Sequence, residues 1–429
     1  MKKQKHLPNI LYTIKHDICT GCGICVGACP TQAIRMNVHK GKFIPQIDES
    51  KCNNKKGCHR CMDSCPGVGI EISKISHEEF NSPQIQFNEY IGYFYNCYTG
   101  HSNDYETRYH SASGGMITQL LIWLLEKKYI NGAIVTKFNS SSPLLVQSFL
   151  ATTKEEILNA KSSKYAPVTL DNSIKEIKKR EGKYVIVGLP CHIHGFRKYE
   201  KIDAKFKEKI FAYFGIYCSG SRTFHLTEHV LKERKIDIES LTYLSYRDEG
   251  CLGGLVAKGI DKQTQRPYYY YQDYQKYCHP LRSFFVPRRC LFCIDHFAEL
   301  ADISFGDIHV KPFLDDKIGI NSFIIRKEKC SKYINEAVQD GVITISPINS
   351  QILLSSQIAV KQKKHRAATF IRIDKIIRKK VPQYDIPLID PHKFKSSISY
   401  IHNMLQIFIG QHKALWPIIQ ILKKKTKVE

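Results

Sequence analysis

Cys19-Thr20-Gly21-Cys22-Gly23-Ile24-Cys25-Val26-Gly27-Ala28-Cys29-Pro30 decides how the N-terminal part of this chain folds. The spacing is C-x2-C-x2-C-x3-C-P, the bacterial ferredoxin run that holds a 4Fe–4S cubane. A second run, Cys52, Cys58, Cys61 and Cys65 before Pro66, has its first gap widened to the stretch Asn53 to Gly57. Thiolates two residues apart on a tight loop reach neighbouring irons of one cubane, and the fourth cysteine of each run ligates the other cluster. The spacing therefore predicts one cluster on Cys19, Cys22, Cys25 and Cys65, and another on Cys52, Cys58, Cys61 and Cys29. Zinc also takes C-x2-C pairs, but eight cysteines with two Cys-Pro endings match the cubane pattern.

The chain has 429 residues, 43% of them hydrophobic, enough for two or three domains. Its start, Met1 to Pro8, is basic with no apolar stretch behind it, which predicts no secretory leader. No apolar run is long enough to span a membrane. Sixteen cysteines without an export signal predict a reducing, cytoplasmic setting in which thiols serve as ligands. The formal charge is +24, falling to about +18 if three thiolate-bound clusters each carry −2. Such an excess favours acidic partners, anionic cofactors or an anionic membrane surface. No recognition motif accompanies it, so nucleic acid is not an expected partner.

Residues 1–80 form the cluster module. Ile14–Ile18 and Ala33–Met36 read as short strands, residues 43–47 lead into the second run, and Ile70–Ile75 closes the module. Between 90 and 335, strand and helix signals alternate. Met116–Glu126 is a helix, residues 132–135 and Tyr184–Gly188 are buried strands, and Phe211–Ile216 is an apolar aromatic run. This argues an α/β core. The domains expected are 1–80, 81–335 and a basic, helical extension 336–429, α+β overall. Nine Lys/Arg and one acid fall between Lys361 and Lys380. Beyond them Ile398, Ile401, Leu405, Phe408, His412, Leu415, Ile419 and Leu422 recur at helical spacing, interrupted by Gly410 and Pro417 and ending in Lys423–Lys425. This stripe must be covered, either by the protein's own core or by an anionic membrane surface, a reading supported by the flanking lysines and Trp416.

Cys191, after Gly188-Leu189-Pro190, Cys218, before Ser219-Gly220, and the pair Cys290/Cys293, after Arg288 and Arg289, sit at strand ends and turns where distant thiolates can meet. By spacing alone the pair could also be zinc-binding or redox-active, and a lone cysteine is often a small buried hydrophobe. Ser111-Ala112-Ser113-Gly114-Gly115 opens the helix at Met116. Small residues and free amides there suit a phosphate or simply a capped helix.

Ser111–Gly115, Ser163-Lys164-Tyr165, Gly188–Cys191, Tyr217–Gly220, Tyr246-Arg247-Asp248, Arg289–Cys293 and Ala301–Asp307 occur in one order. Together they resemble the beta-subunit family of coenzyme F-420 hydrogenases and dehydrogenases, over roughly residues 10–335. The resemblance implies a third 4Fe–4S cluster on Cys191, Cys218, Cys290 and Cys293. It also implies FAD near Ser111, Ser113, Gly114, Gly115, Ser163, Lys164, Ser304, Gly306 and Asp307. His192 stands where relatives often have Gln. The basic extension places the chain nearer relatives found in polysaccharide-biosynthesis gene sets.

His110 and His192 are candidates for proton transfer beside the flavin, against the reading that each is a chance neighbour of a motif. Lys164 suits a flavin phosphate or an anionic substrate, or is a plain loop lysine. Tyr268–Tyr271 reads as a hairpin over the site or an insertion packed on the core. Cys97, Cys251, Cys278 and Cys330 read as free thiols, with Cys251 the one set to line a pocket. The function expected is an oxidoreductase passing electrons between a ferredoxin or another low-potential carrier and an organic substrate. An electron-transfer subunit serving a partner enzyme and a non-catalytic redox sensor are the other classes.

Overall fold

The structure is a computed structural model describing residues 8–139, 142–281 and 283–425, without side-chain detail at 142, 143, 279 and 423–425. The expectations placed on Met1–Leu7 and on the side chains of Lys423–Lys425 fall outside what is described.

The cluster module is built around its two cysteine loops. Gly21 and Gly23 take positive φ values of 74° and 79°, which only glycine adopts without cost, so the chain turns tightly between Cys19 and Cys25. The widened gap of the second run folds into a 3-10 turn, Asn53–Lys56, ended by Gly57 at φ 90°. The extra residues are thus absorbed before Cys58. Ile34–His39 and Lys42–Ile47 pair as an antiparallel hairpin. Residues 14–18, expected as a strand, instead follow and complete a short helix, Leu11–Lys15. Tyr12 stacks edge-on against His16 at 4.4 Å, and Thr13 Oγ1 donates to the Ile10 carbonyl. Ile70–Ile75 is likewise mostly helical, within Ile72–Phe80.

The central domain is an eight-stranded mixed sheet. In chain order its strands are β1 (Asn96–Ser102), β2 (Gly132–Asn139), β3 (Ser142–Ala151), β4 (Tyr184–Gly188), β5 (Ile210–Ile216), β6 (Ile303–Asp307), β7 (Asn321–Ile325) and β8 (Ile343–Pro347). Their spatial order is β8-β1-β7-β6-β5-β4-β2-β3. The middle strands β2, β4, β5 and β6 are parallel, and the flanking pairs are antiparallel. Helix α1 (Met116–Glu126) is buried on most sides, as its apolar composition requires. Helix α2 (Pro190–Glu200) starts with proline at its first position, where the missing N–H is not needed. The boundary expected at 335 falls inside a helix, Glu328–Gln339. Strand β8 lies beyond it, so the central domain extends to about residue 350. A separate three-stranded antiparallel sheet, Leu241–Asp248, Gly254–Ile260 and Pro267–Asp273, carries the tyrosine run on its edge strand. Tyr268 and Tyr270 pack against a core cluster, while Tyr269 and Tyr271 are exposed.

The extension holds α3 (Ala359–Ile376), α4 (Lys393–Gln411) and a last helix Trp416–Lys425. It folds back over the cluster module: residues 383–384 pair with 69–70, and Asp385 accepts the backbone N–H groups of Ser73 and Lys74. Along α4 it docks by a different face from the one expected, whereas Leu415 and Ile419 of the expected stripe do pack on the core. Tyr400, Ile407, Ile409, Gly410, Trp416 and Ile419 are buried, whereas Ile398, Ile401, Leu405, Phe408 and Leu422 are exposed. Trp416 donates to the Gly410 carbonyl at 3.1 Å and packs on His229 and Phe285, so it does not mark a membrane-facing edge.

A buried charge network fastens module to domain. Arg197 pairs with Glu79, Glu200 and Asp302 at 3.0, 3.2 and 2.9 Å, and Lys327 pairs with Glu79 and Asp302 at 3.0 Å each. Burial alone would raise the Asp302 carboxyl; Arg197 and Lys327 overcome it and hold it at about 2. Arg197→Met is expected to cost about 3–5 kcal/mol, because it strands buried carboxylates. Asp302 has a folded pKa below its ordinary 3.8. Its contribution is therefore complete above about pH 4 and fades as pH falls toward about 2. Anaerobic unfolding midpoints measured across that range should show this slope in the parent chain and a shallower one in the variant.

Candidate electron-transfer site

Twelve of the sixteen cysteines fall into three sets. Cys25 lies within electrostatic reach of Cys22, Cys19 and Cys65, and Cys61 within reach of Cys29, Cys58 and Cys52. Cys65 thus stands among the thiols of the first run, which also has Cys61 nearby, and Cys29 among those of the second. Cys191, after β4, is near Cys218, after β5, and near Cys290 of the 3-10 turn Arg288–Phe292 and Cys293 at its end. It is also near Cys22, so the third set abuts the inner set of the module. Burial first, then neighbouring thiolates, pushes Cys19 up to about 12 and Cys22 and Cys290 up to about 11. Crowded, buried thiols of this kind suit a cationic iron–sulfur core. Backbone N–H groups already point at sulfur, from Gly21 to Cys19, Ala33 to Cys29 and Gly67 to Cys65 at 3.3–3.4 Å. Among the described residues no group of His, Cys, Asp and Glu is close enough to hold a single metal ion. In a cubane each thiolate binds a different iron, so its ligands stand further apart than those of one ion.

Cations surround these sets. Arg289, beside Cys293 and Cys290, donates to the carbonyls of Gly67 and Pro66 at 3.0 and 3.1 Å. Lys198 donates to the Cys65 carbonyl at 2.7 Å. Lys363 of α3 donates to the carbonyls of Cys218 and Asp295, both at 2.6 Å. Burial would lower the Lys363 ammonium, but Cys293 and Cys218 hold it above its ordinary value. Sequence reasoning read Lys363 only as part of a basic patch. Its signal was there: Val360, Lys363, Lys364, Ala367 and Phe370 share one helix face.

A second group gathers at the carboxyl ends of the parallel strands, where open α/β sheets bind ligands. Its hub is Arg247, buried and paired with Asp307 at 2.8 Å. Arg247 also donates to the Ala112 carbonyl, to Tyr165 at 3.4 Å and to the Leu252 carbonyl; its own carbonyl accepts from Ser162. Burial would raise the Asp307 carboxyl, but Arg247 and then His309 hold it below the ordinary range. The Ser111–Gly115 turn, the Ser162–Lys164 loop and Asp307 are therefore brought together. Cys251 joins them, close to Asp307 and Arg247, with its thiol pushed up to about 11 by burial.

Within the turn the small residues serve packing. Ser111 donates to the Thr107 carbonyl and Ser113 to the Ile320 carbonyl. A Cβ on Gly114 would stand 2.7 Å from the Gly100 carbonyl and the Asn321 nitrogen, and a Cβ on Gly306 would meet the Tyr217 ring. Asn321 Oδ1 accepts the Met116 N–H at the start of α1. Lys164 directs its ammonium at the carbonyls of Ala160, Lys161 and Ser162, so all three donors are engaged; burial draws it down to about 7. Ser163 is half-buried beside it, and Ser304 is buried under Arg326. His110 is bound through Nδ1 to Asp248 at 2.8 Å and remains a third exposed. Asp248 also accepts from Tyr243. His192 lies elsewhere: its buried ring accepts the Leu189 N–H at 3.2 Å, and burial pulls its pKa down to about 4.

Two profiles of one family match this chain in tandem: "Coenzyme F-420 hydrogenase/dehydrogenase, beta subunit N-term" over residues 97–175 and its C-terminal counterpart over 181–351. The chain belongs to this family. A 4Fe–4S dicluster domain matches residues 18–70, so the N-terminal module is an iron–sulfur domain. A coenzyme F-420-dependent sulfite reductase of Methanocaldococcus jannaschii is 28% identical over 77% of this chain, which spans 47% of that relative's length. An F(420)H(2) dehydrogenase component of Methanosarcina mazei is 24% identical over 83% of this chain and 92% of its own length. A chain of the F-420-reducing [NiFe] hydrogenase complex of Methanosarcina barkeri shares the fold, with a TM-score of 0.52 at 19% identity over 70% of this chain and 98% of that one.

Anaerobically purified protein is expected to carry about 12 iron atoms, four per thiol set. Cys290→Ala or Cys293→Ala should remove about four and leave the dicluster signal unchanged. Full iron retention in both variants would show that the third set holds no cluster.

Proposed function

We propose that this chain is a cytoplasmic iron–sulfur flavoprotein that passes electrons between a ferredoxin-like or deazaflavin-linked carrier and an organic substrate, using three 4Fe–4S clusters and FAD. One observation carries the reading. The three thiol sets form a series, with Cys61 near Cys25, Cys22 near Cys191, and the third set at the carboxyl ends of β4 and β5. When bound, clusters carry single electrons and a flavin couples them to two-electron chemistry. The chain's own residues would then supply placement and protons. Arg247 fixes the turn before α1 against Asp307, leaving the remaining amides of the α1 N-terminus and the Ser162–Lys164 loop as the flavin cradle. Asp248 holds His110 through Nδ1, and Glu106 stands 3.5 Å from Nε2, so a proton exchanged with substrate at Nε2 requires the exposed Glu106 carboxylate to move aside. His192, buried and neutral as a helix cap, is given no catalytic part. The basic extension supports the polysaccharide-associated branch.

A second reading is an electron-transfer subunit without an organic substrate of its own. It is favoured by relatives named as subunits of hydrogenase and dehydrogenase complexes. The test is to purify the chain alone, determine its FAD content, and titrate it with a reduced ferredoxin. Stoichiometric FAD that is reduced after the clusters supports the proposal; iron without FAD refutes it. Turnover of a small molecule by the isolated chain separates the enzyme from the subunit. Where turnover is found, His110→Gln should slow it by about 10²–10⁴-fold and leave reduction by ferredoxin unchanged. Gly114→Ala should lose FAD while retaining the dicluster iron, because the added Cβ collides with Gly100 and Asn321.

A further inference from the structure

We propose that the exposed face of α4 attaches this protein peripherally to an anionic lipid bilayer. Phe394, Ile398, Ile401, Leu405 and Phe408 are between 53% and 82% exposed. Their spacings of four, three, four and three keep them on one side of the helix. Five large apolar side chains in a continuous stripe exceed the scattered apolar residues of an ordinary surface. The protein's own core does not cover them, because α4 docks by its opposite face, through Tyr400, Ile407 and Gly410.

Charge identifies the occupant. Lys393 and Lys395, both exposed, flank the stripe one on each side, where their stems lie along apolar surface and their heads reach phosphates. No Asp or Glu occurs between Asp390 and Glu429. The end of α3, held to α4 by Tyr400 and Asp374, adds exposed Ile376 and Ile377 and the exposed cations Arg378, Lys379 and Lys380. A second copy docked on this face would bring two sets of cations together with no acid on either helix, since a two-fold interface pairs like surfaces. An anionic bilayer satisfies both the apolar stripe and the charge. No helix described is long and apolar enough to cross a membrane, so α4 would lie in the interface plane.

Flotation of the full chain with its clusters tests this. Vesicles of phosphatidylcholine with phosphatidylglycerol are compared with pure phosphatidylcholine at low and high salt. The expected result is at least about tenfold greater recovery with the anionic vesicles, declining with salt. Ile401→Glu/Leu405→Glu should abolish flotation while iron content and unfolding midpoint stay at parental values, because both side chains are exposed. Absent flotation of the parent chain overturns the proposal, as does equal flotation of the double variant. A dimer in solution that the double variant dissociates, with no vesicle binding, overturns it in favour of a second copy. Salt-sensitive binding of an acidic protein to this face without vesicle binding does so in favour of a protein partner.

Discussion

Thiolates in a low-dielectric interior need positive charge that nothing else has neutralised, and this chain supplies it in a particular form. Arg289, Lys198 and Lys363 stand around the inner and third cysteine sets, and their hydrogen bonds end on neutral groups, backbone carbonyls and the Tyr384 hydroxyl. Carbonyls fix the position of a cation without cancelling its charge. Arg197, by contrast, is surrounded by carboxylates and is electrically complete without a cofactor. The two groups divide the work: one set of buried cations joins the cluster module to the domain mechanically, the other leaves its charge uncancelled beside the thiols. If clusters occupy these sets, the chain without them carries an electrostatic penalty, which would couple cluster assembly to folding.

The same groups fix the spatial order of the thiol sets. Arg289 leaves the Cys290–Cys293 turn and grips Pro66 and Gly67, the residues just after Cys65. Leu170 donates to the Cys22 carbonyl, and a Cβ on Gly27 would collide with Ile174. Close packing of this kind leaves no room for the module to slide. The proximity of Cys22 to Cys191 is thus a consequence of the interface as a whole. On the other side of the sheet ends, Arg247 performs the equivalent task for the loops around Asp307, joining segments from four parts of the sequence.

Local spacing made the cysteine runs legible, since ligands two residues apart on a loop need little tertiary context. The buried strands of the central sheet were legible too, because both faces are covered and they read as unbroken apolar runs. What depended on distant partners was not. Residues 14–18 are β-branched enough to suggest a strand, but Ile10 and Thr13 anchor a helical turn whose partners lie elsewhere. Strand β8 is short and half-polar because it is an edge, so the domain boundary was drawn too early. Gly114 and Gly306 suggested ligand approach, and their close neighbours are backbone and ring atoms of the protein. Lys164 looked available, and its donors are all engaged by the preceding turn.

The C-terminal extension shows why periodicity alone could not say which face is covered. An apolar residue every three or four positions defines a stripe, not its occupant. Tyr400, Ile407 and Gly410 form a second, less conspicuous row, and this row meets the core because Gly410 lets the helix approach the Phe284 carbonyl. The basic stretch of α3 divides in the same way. Lys363 turns to the third cysteine set, Lys364 pairs with Glu299 at 3.0 Å, and Lys361 lies over Tyr90. Arg378, Lys379 and Lys380 remain outside. Helical geometry thus splits one run of cations into an internal group that stabilises buried anions and an external group beside exposed apolar residues.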